Sequence, residues 1–216
     1  MFGVISTVRL QNVQSHDDLQ RSRALIAAEA GIAIAVKTLL TEPGVLAADG
    51  KTYPFEFDNI RLLVSLRSEH GKLDVNFCPL ENFSKLLRSM GATPNQAEQL
   101  VQHLQQRRNN STPVRHLEQL LDASSMTLDL YRQILPFITL WSGRGTPDAR
   151  FAAEPLRQAL NLKPVSRAMG NPGSAISIEV RAELLNGYKA GITAVVLLGS
   201  TGNESSLYRA VRWQEL

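Results

Sequence analysis

The sequence predicts an α+β protein in which a long N-terminal helix packs on an antiparallel sheet and an all-helical domain is inserted into that unit. Three observations predict it. From Val4 to Leu40 there is no proline and Gly31 is the one glycine; strand-like alternation is confined to residues 60–76 and 175–213; and residues 80–162 carry helical spacing. The economical arrangement is a helix-and-sheet domain of residues 1–76 plus 165–216, split by an inserted helical domain of residues 77–164.

The bulk composition suits such a fold and narrows the functions it can serve. A chain of 216 residues with 44% apolar and 20% charged residues buries a real core, and neither disorder nor a coiled-coil rod is indicated. The net charge is +3, and the 23 basic residues are interleaved with 20 acidic ones, so the pI of 9.2 does not point to nucleic acid. Arg21/Arg23 and Arg107/Arg108, the densest basic spots, read as solvated helix faces. The single cysteine, Cys78, excludes an intrachain disulfide and a cysteine-built zinc site, and its neighbours Phe77, Pro79 and Leu80 predict a buried, inert thiol. No run approaches the roughly twenty apolar residues of a membrane span and no signal peptide is visible, so a soluble chain is expected.

The helix ends at Thr41-Glu42-Pro43-Gly44. In its second half Leu25, Ala28, Ile32, Val36 and Leu39 follow helical spacing, thickened by Ile26, Ala33 and Leu40, and this stripe is expected to pack on the sheet. The first half, residues 6–23, is mostly polar with Val8, Leu10, Val13 and Leu19 scattered through it. Such a stem has little to bury itself with and is expected to project unless a partner covers it. Met1 to Ile5 is apolar again and reads as the stump of a longer apolar segment.

After a loop expected over residues 43–54, Ile60 to Arg67 alternates as a half-buried strand, and Ser68-Glu69-His70-Gly71 turns it into a returning strand at residues 72–76. Helices are expected at 80–90, from Thr93-Pro94 to about Arg108, through Leu121, at 128–135 and at 148–160. Three strands then follow as a meander: 175–185, 192–198 and 208–213, with Asn186-Gly187 as a turn.

Chemistry is sparse. No glycine-rich phosphate loop, paired-histidine zinc motif, nucleophile elbow or paired-cysteine motif occurs. His16, His70, His103 and His116 lie in separate segments and read as surface imidazoles. Asp122 with Asp129, and Asp148 with Glu154, are the nearest approach to a calcium loop, and neither spacing fits one; Asp148 instead suits the first turn of a helix. No catalytic residue, cofactor-binding residue or metal ligand is assigned. Gly91 and Gly143/Gly145 could serve as hairpins of a DNA-binding helical module, but the surrounding glycine pattern is wrong for it.

Several segments carry a resemblance. Arg21 to Ile32, with Ala28-Glu29-Ala30-Gly31, resembles the end of the long helix in type II secretion minor pseudopilins of the K type. Gly71-Lys72-Leu73-Asp74-Val75-Asn76, followed by a helix with Leu86-Leu87, looks like that family's entry into its inserted helical domain. Leu117 to Leu121 and then Tyr131 to Thr139 are similar to a later family stretch. The order covers nearly the whole chain. It departs from the family where an acidic segment is expected, since Gln105-Gln106-Arg107-Arg108 stands there, and where a later element survives as Gly145 to Ala149. Calcium sites of relatives therefore cannot be carried over to any residue.

The resemblance implies a pilin-like fold and a non-enzymatic structural subunit. Family members are anchored in the bacterial inner membrane by an apolar N-terminal helix, face the periplasm, and join the I-like and J-like minor pseudopilins at the pseudopilus tip, limiting or initiating filament growth. The secretin and the exported proteins are further partners on this reading, and nucleic acid is not. The implied partner-binding residues are Val8, Val13 and Leu19; Leu25, Ala28, Ile32 and Val36 form the structural face of the helix. A minor pilin-like subunit of another filament and a helix-hairpin-helix DNA-binding module stay open as other readings, and a hydrolase comes last.

Overall fold

The structure, a computed structural model, describes residues 2–42, 44–163, 171–199 and 208–216, with the side chains of the first helix from Ser15 onwards. The chain divides into two compact units: Met1–Arg67 with Ile176–Leu216, and Ser68–Ala175. The expected boundaries at residues 76/77 and 164/165 thus differ from those observed by about ten residues.

The first unit is a helix on a sheet. Helix α1 (Phe2–Thr41) packs on a five-stranded sheet of order β1-β2-β5-β6-β7, formed by β1 (Asp49–Phe57), β2 (Ile60–Ser68), β5 (Ala175–Glu183), β6 (Lys189–Leu198) and β7 (Tyr208–Glu215). The alternation read from the sequence is what faces the helix. Leu62, Val64 and Leu66 of β2, Ile176, Ile178, Val180 and Ala182 of β5, and Ile192, Ala194 and Val196 of β6 join Ala24, Ala27, Ala28, Ile32, Ala35 and Val36 of α1 in one core. Small residues dominate the helix side of that core, so the helix lies close to the sheet. At Gly31 the approach is closest: a methyl group there would stand 2.7 Å from Cγ1 of Val180 and 3.2 Å from Cδ1 of Leu62.

The first hairpin corrects the sequence reading. Strand β2 pairs with β1, antiparallel, through Phe57↔Ile60 to Thr52↔Ser65, and not with residues 72–76. The turn is Asp58-Asn59, both in the left-handed region with φ of 49° and 57°, as a two-residue hairpin whose twist matches the strands requires. Residues 49–54, expected as loop, belong to β1. Pro54 disguised the strand, and it is tolerated because β1 is an edge.

The second unit is built from α2 (Leu80–Ser89), α3 (Pro94–Asn109), a 3-10 turn at Leu117–Asp122, α4 (Leu128–Ile134) and α5 (Glu154–Ala159), with a short parallel pairing of β3 (Leu73–Asp74) and β4 (Ile138–Thr139). Its core gathers Phe83, Leu86 and Leu87 of α2, Ala97, Leu100 and Leu104 of α3, Ile134 and Leu156. Local signals fix the helix starts. Thr93 and Gln96 form a reciprocal capping box ahead of Pro94, and the Thr127 hydroxyl accepts from the Leu130 amide. The helix expected from Asp148 begins only at Glu154. Asp148 accepts from the Arg150 amide at 3.0 Å and its own amide donates to the His70 carbonyl at 2.8 Å, which holds a turn where a helix was expected.

Candidate assembly surface

Two faces of α1 differ in kind. Among the described side chains burial begins at Gln20, and the core shared with the sheet runs through Ala24, Ala28, Ile32 and Val36, with Leu25 half-buried against it. Leu19 is 54% exposed; the side chains of Val8 and Val13 lie outside the described residues.

Ile26, Ala33 and Leu40, expected to thicken the buried stripe, are exposed, Ile26 at 63% and Leu40 at 40%. Helix geometry explains the correction. At roughly 100° per residue these positions fall about 120–160° around the helix from Ala28. Together with Leu19 they form a separate row, each residue seven after the last: Leu19, Ile26, Ala33, Leu40. The sevenfold interval was the available signal, and it keeps side chains on one line over a long helix–helix contact. The two apolar lines also explain why Ser15–Thr41 is, by length and composition, apolar enough to cross a membrane, although no continuous apolar run was visible. One line is core and the other is outward. Where the helix reaches the sheet, Arg21 bonds Glu215 of β7 at 2.6 Å, an exposed pair that orients more than it stabilises.

The segment Gly71 to Asn76 is a clamp inside the second unit. Gly71 lies against the Phe151 backbone, where a side chain has no room. Asp74 is fully buried and accepts from the Asn76 amide at 3.0 Å, the Gly143 amide at 2.9 Å and the Ser142 hydroxyl at 3.3 Å. Burial pushes its carboxyl above the ordinary value, against the pull of the Gly143 and Asn76 amides. Asn76 holds Val114 both ways, donating to its carbonyl and accepting from its amide, each at 2.9 Å. Beside them the fully buried Glu69 pairs with Lys72 at 2.5 Å and accepts from the Thr139 hydroxyl. These bonds tie residue 114, residues 142–143 and strand β4 to the segment of residues 69–76.

Arg107 and Arg108 are not a solvated basic face. Both are half-buried; Arg108 donates to the Val75 carbonyl at 2.7 Å and Arg107 to Gln119 at 3.2 Å. Burial pushes the Cys78 thiol up to about 11, so it stays protonated at neutral pH. Of the carboxylates weighed for calcium, Asp122 stands 3.8 Å from Arg107, Asp148 pairs with Arg150 at 2.6 Å and Glu154 with Arg157 at 3.2 Å. His70 is half-buried, with Nδ1 3.5 Å from the Arg144 guanidinium; burial and that cation hold it below its usual range. Among the described residues no group of three or more histidine, cysteine or carboxylate side chains is placed to hold a metal ion. An open groove of about 680 Å³ at the turn end of the sheet is lined by Pro54, Phe55, Glu56, Arg61, Glu183 and Leu184, and Glu183 there is paired with Lys189 at 3.0 Å.

A long helix laid on an antiparallel five-stranded sheet, with added helices, is a pilin-like fold. No family model and no curated protein sequence matches the chain. Among solved structures it is similar to a chain of the GspK-GspI-GspJ complex from the type 2 secretion system of enterotoxigenic Escherichia coli. The TM-score is 0.64 at 11% identity, over 94% of this chain and 99% of that one. The likeness establishes a pseudopilin-like fold over nearly the full length of both chains.

Proposed function

We propose that this chain is a non-enzymatic structural subunit at the tip of a type II secretion pseudopilus, where it assembles with I-like and J-like minor pseudopilins and limits or initiates filament growth. On this reading it acts in the periplasm and is anchored in the inner membrane. The observation that carries the proposal is the unpartnered outward row of α1, on a fold shared with a chain from a complex of three such proteins. A helix with one face committed to its own sheet and a second apolar line facing out is suited to lie against another helix. An added domain of the kind seen here hinders open-ended stacking of further copies.

The DNA-binding reading rested on Gly91 and Gly143/Gly145 as hairpins; the Gly143 amide donates to Asp74 instead, and the basic pair Arg107 and Arg108 is bonded to Gln119 and to the Val75 carbonyl. The test is size-exclusion chromatography with light scattering on this chain mixed with the soluble domains of the I-like and J-like proteins. A single heterotrimeric species is expected. Separate elution of the three at micromolar concentration rejects the proposal.

A further inference from the structure

A sheet of five strands leaves two edges, here β1 and β7, and an open edge is the usual place for a chain to pair with its own kind. Both edges are interrupted, each by a different device. In β1 the pairing with β2 slips between Asp49 and Thr52, with Gly50 in the left-handed region at φ 82°. Pro54 then sits opposite Leu63 inside the regular part of the ladder. A proline in a strand is tolerated where its nitrogen faces away from the neighbouring strand. The row of groups that β1 turns outward, at Thr52, Pro54 and Glu56, therefore lacks its middle donor.

In β7 the register passes from Val195↔Arg212 to Val196↔Ala210, so Val211 has no opposite number and forms a bulge. The bulge splits β7 into residues 208–210 and 212–215, and the extra twist it introduces breaks the straight row of outward groups that an added strand would need. The exposed Arg209 adds a charge to the first piece, and the Arg21 ion pair holds the end of the second through Glu215.

We infer that both edges of this sheet are closed to strand addition, by a missing donor and a slipped register in β1 and by a bulge in β7, so that this chain makes its protein contacts without extending its sheet. The inference does not depend on the pseudopilus reading. It concerns which surfaces are barred, whatever the partner.

The test is to reopen the edges. Pro54→Thr restores the middle donor, and deletion of Val211 restores a regular ladder without shifting the pairs on either side. The double variant and the wild-type chain are compared by sedimentation velocity and by hydrogen–deuterium exchange over a concentration series. The double variant is expected to self-associate at least about tenfold more tightly than wild type, with concentration-dependent protection of amides in residues 52–57 and 208–215. The wild type is expected to show no such protection. Concentration-dependent protection of either edge in the wild type, or a double variant whose edges stay unprotected, overturns the inference. If circular dichroism shows the double variant unfolded, Pro54→Thr alone decides through residues 52–57.

Discussion

The helix-and-sheet unit and the inserted unit are held together by opposite means. In the first, alanines and a glycine of α1 meet alternating aliphatic residues of β2, β5 and β6, and the stabilising term is close apolar contact. In the second, an apolar core is present too, but its long connections are fixed by buried polar side chains: Asp74 and Asn76 hold residues 142–143 and 114. A packed seam tolerates loss of polarity and punishes added volume. A polar clamp does the reverse, since an orphaned buried amide costs more than the bond it lost contributed.

That contrast can be broken deliberately. The largest effect is expected from Gly31→Leu, which drives a side chain into Val180 and Leu62: a loss of about 3 kcal/mol in urea unfolding, partly restored by Val180→Ala. Full stability of the single variant would mean that the helix does not lie as close as described. Next, Asn76→Ala leaves both backbone groups of Val114 without their partner and should cost about 2 kcal/mol. Hydrogen exchange should localise the damage to the segment around Val114, whereas an effect spread over the sheet would contradict the division into two units.

Smaller, and of a different kind, is the pH response of Asp74. Its folded-state pKa is raised above the ordinary 3.8, so the folded chain holds that proton longer than the unfolded chain. The contribution to stability is therefore complete below the unfolded pKa and is lost as pH rises through the folded one. Asp74→Asn removes the titration while setting an amide NH2 against the Gly143 amide. The variant should be less stable than wild type, with the gap narrowing as the pH rises above the ordinary carboxylate value of 3.8. A gap that widens instead would mean the three donors outweigh burial.

The two units also differed in what the sequence disclosed. The meander β5 to β7 was legible because alternation at Ile176, Ile178 and Val180 and the Asn186-Gly187 turn are local signals. The long helix was legible for the same reason, yet its faces were not sorted. Leu25 and Ile26 are equally apolar on paper, and only the position of the sheet decides that one is half-buried and the other exposed. Strand β1 was missed because Pro54 and a polar outer edge hide its pattern, although Asp58-Asn59 marked the turn. The clamp segment of residues 71–76 stands out as a motif in the sequence, but its contacts do not. Asn76 meets its partner 38 positions away and Asp74 meets Gly143 at 69, distances over which sequence spacing carries no information. Likewise Arg107 and Arg108 looked like a solvated pair until their acceptors were placed beside them.

The central claim is that the outward row of α1 is an assembly surface and adds little to folding. The most direct measurement is the affinity of wild type and Ile26→Asp for the I-like and J-like domains, taken by sedimentation alongside a thermal melt of each protein alone. The account predicts an assembly weakened by about a hundredfold, as for an anchor residue at the centre of an interface, with melting temperatures that coincide. Unchanged assembly, or a melt that falls together with it, would contradict the separation of the two faces.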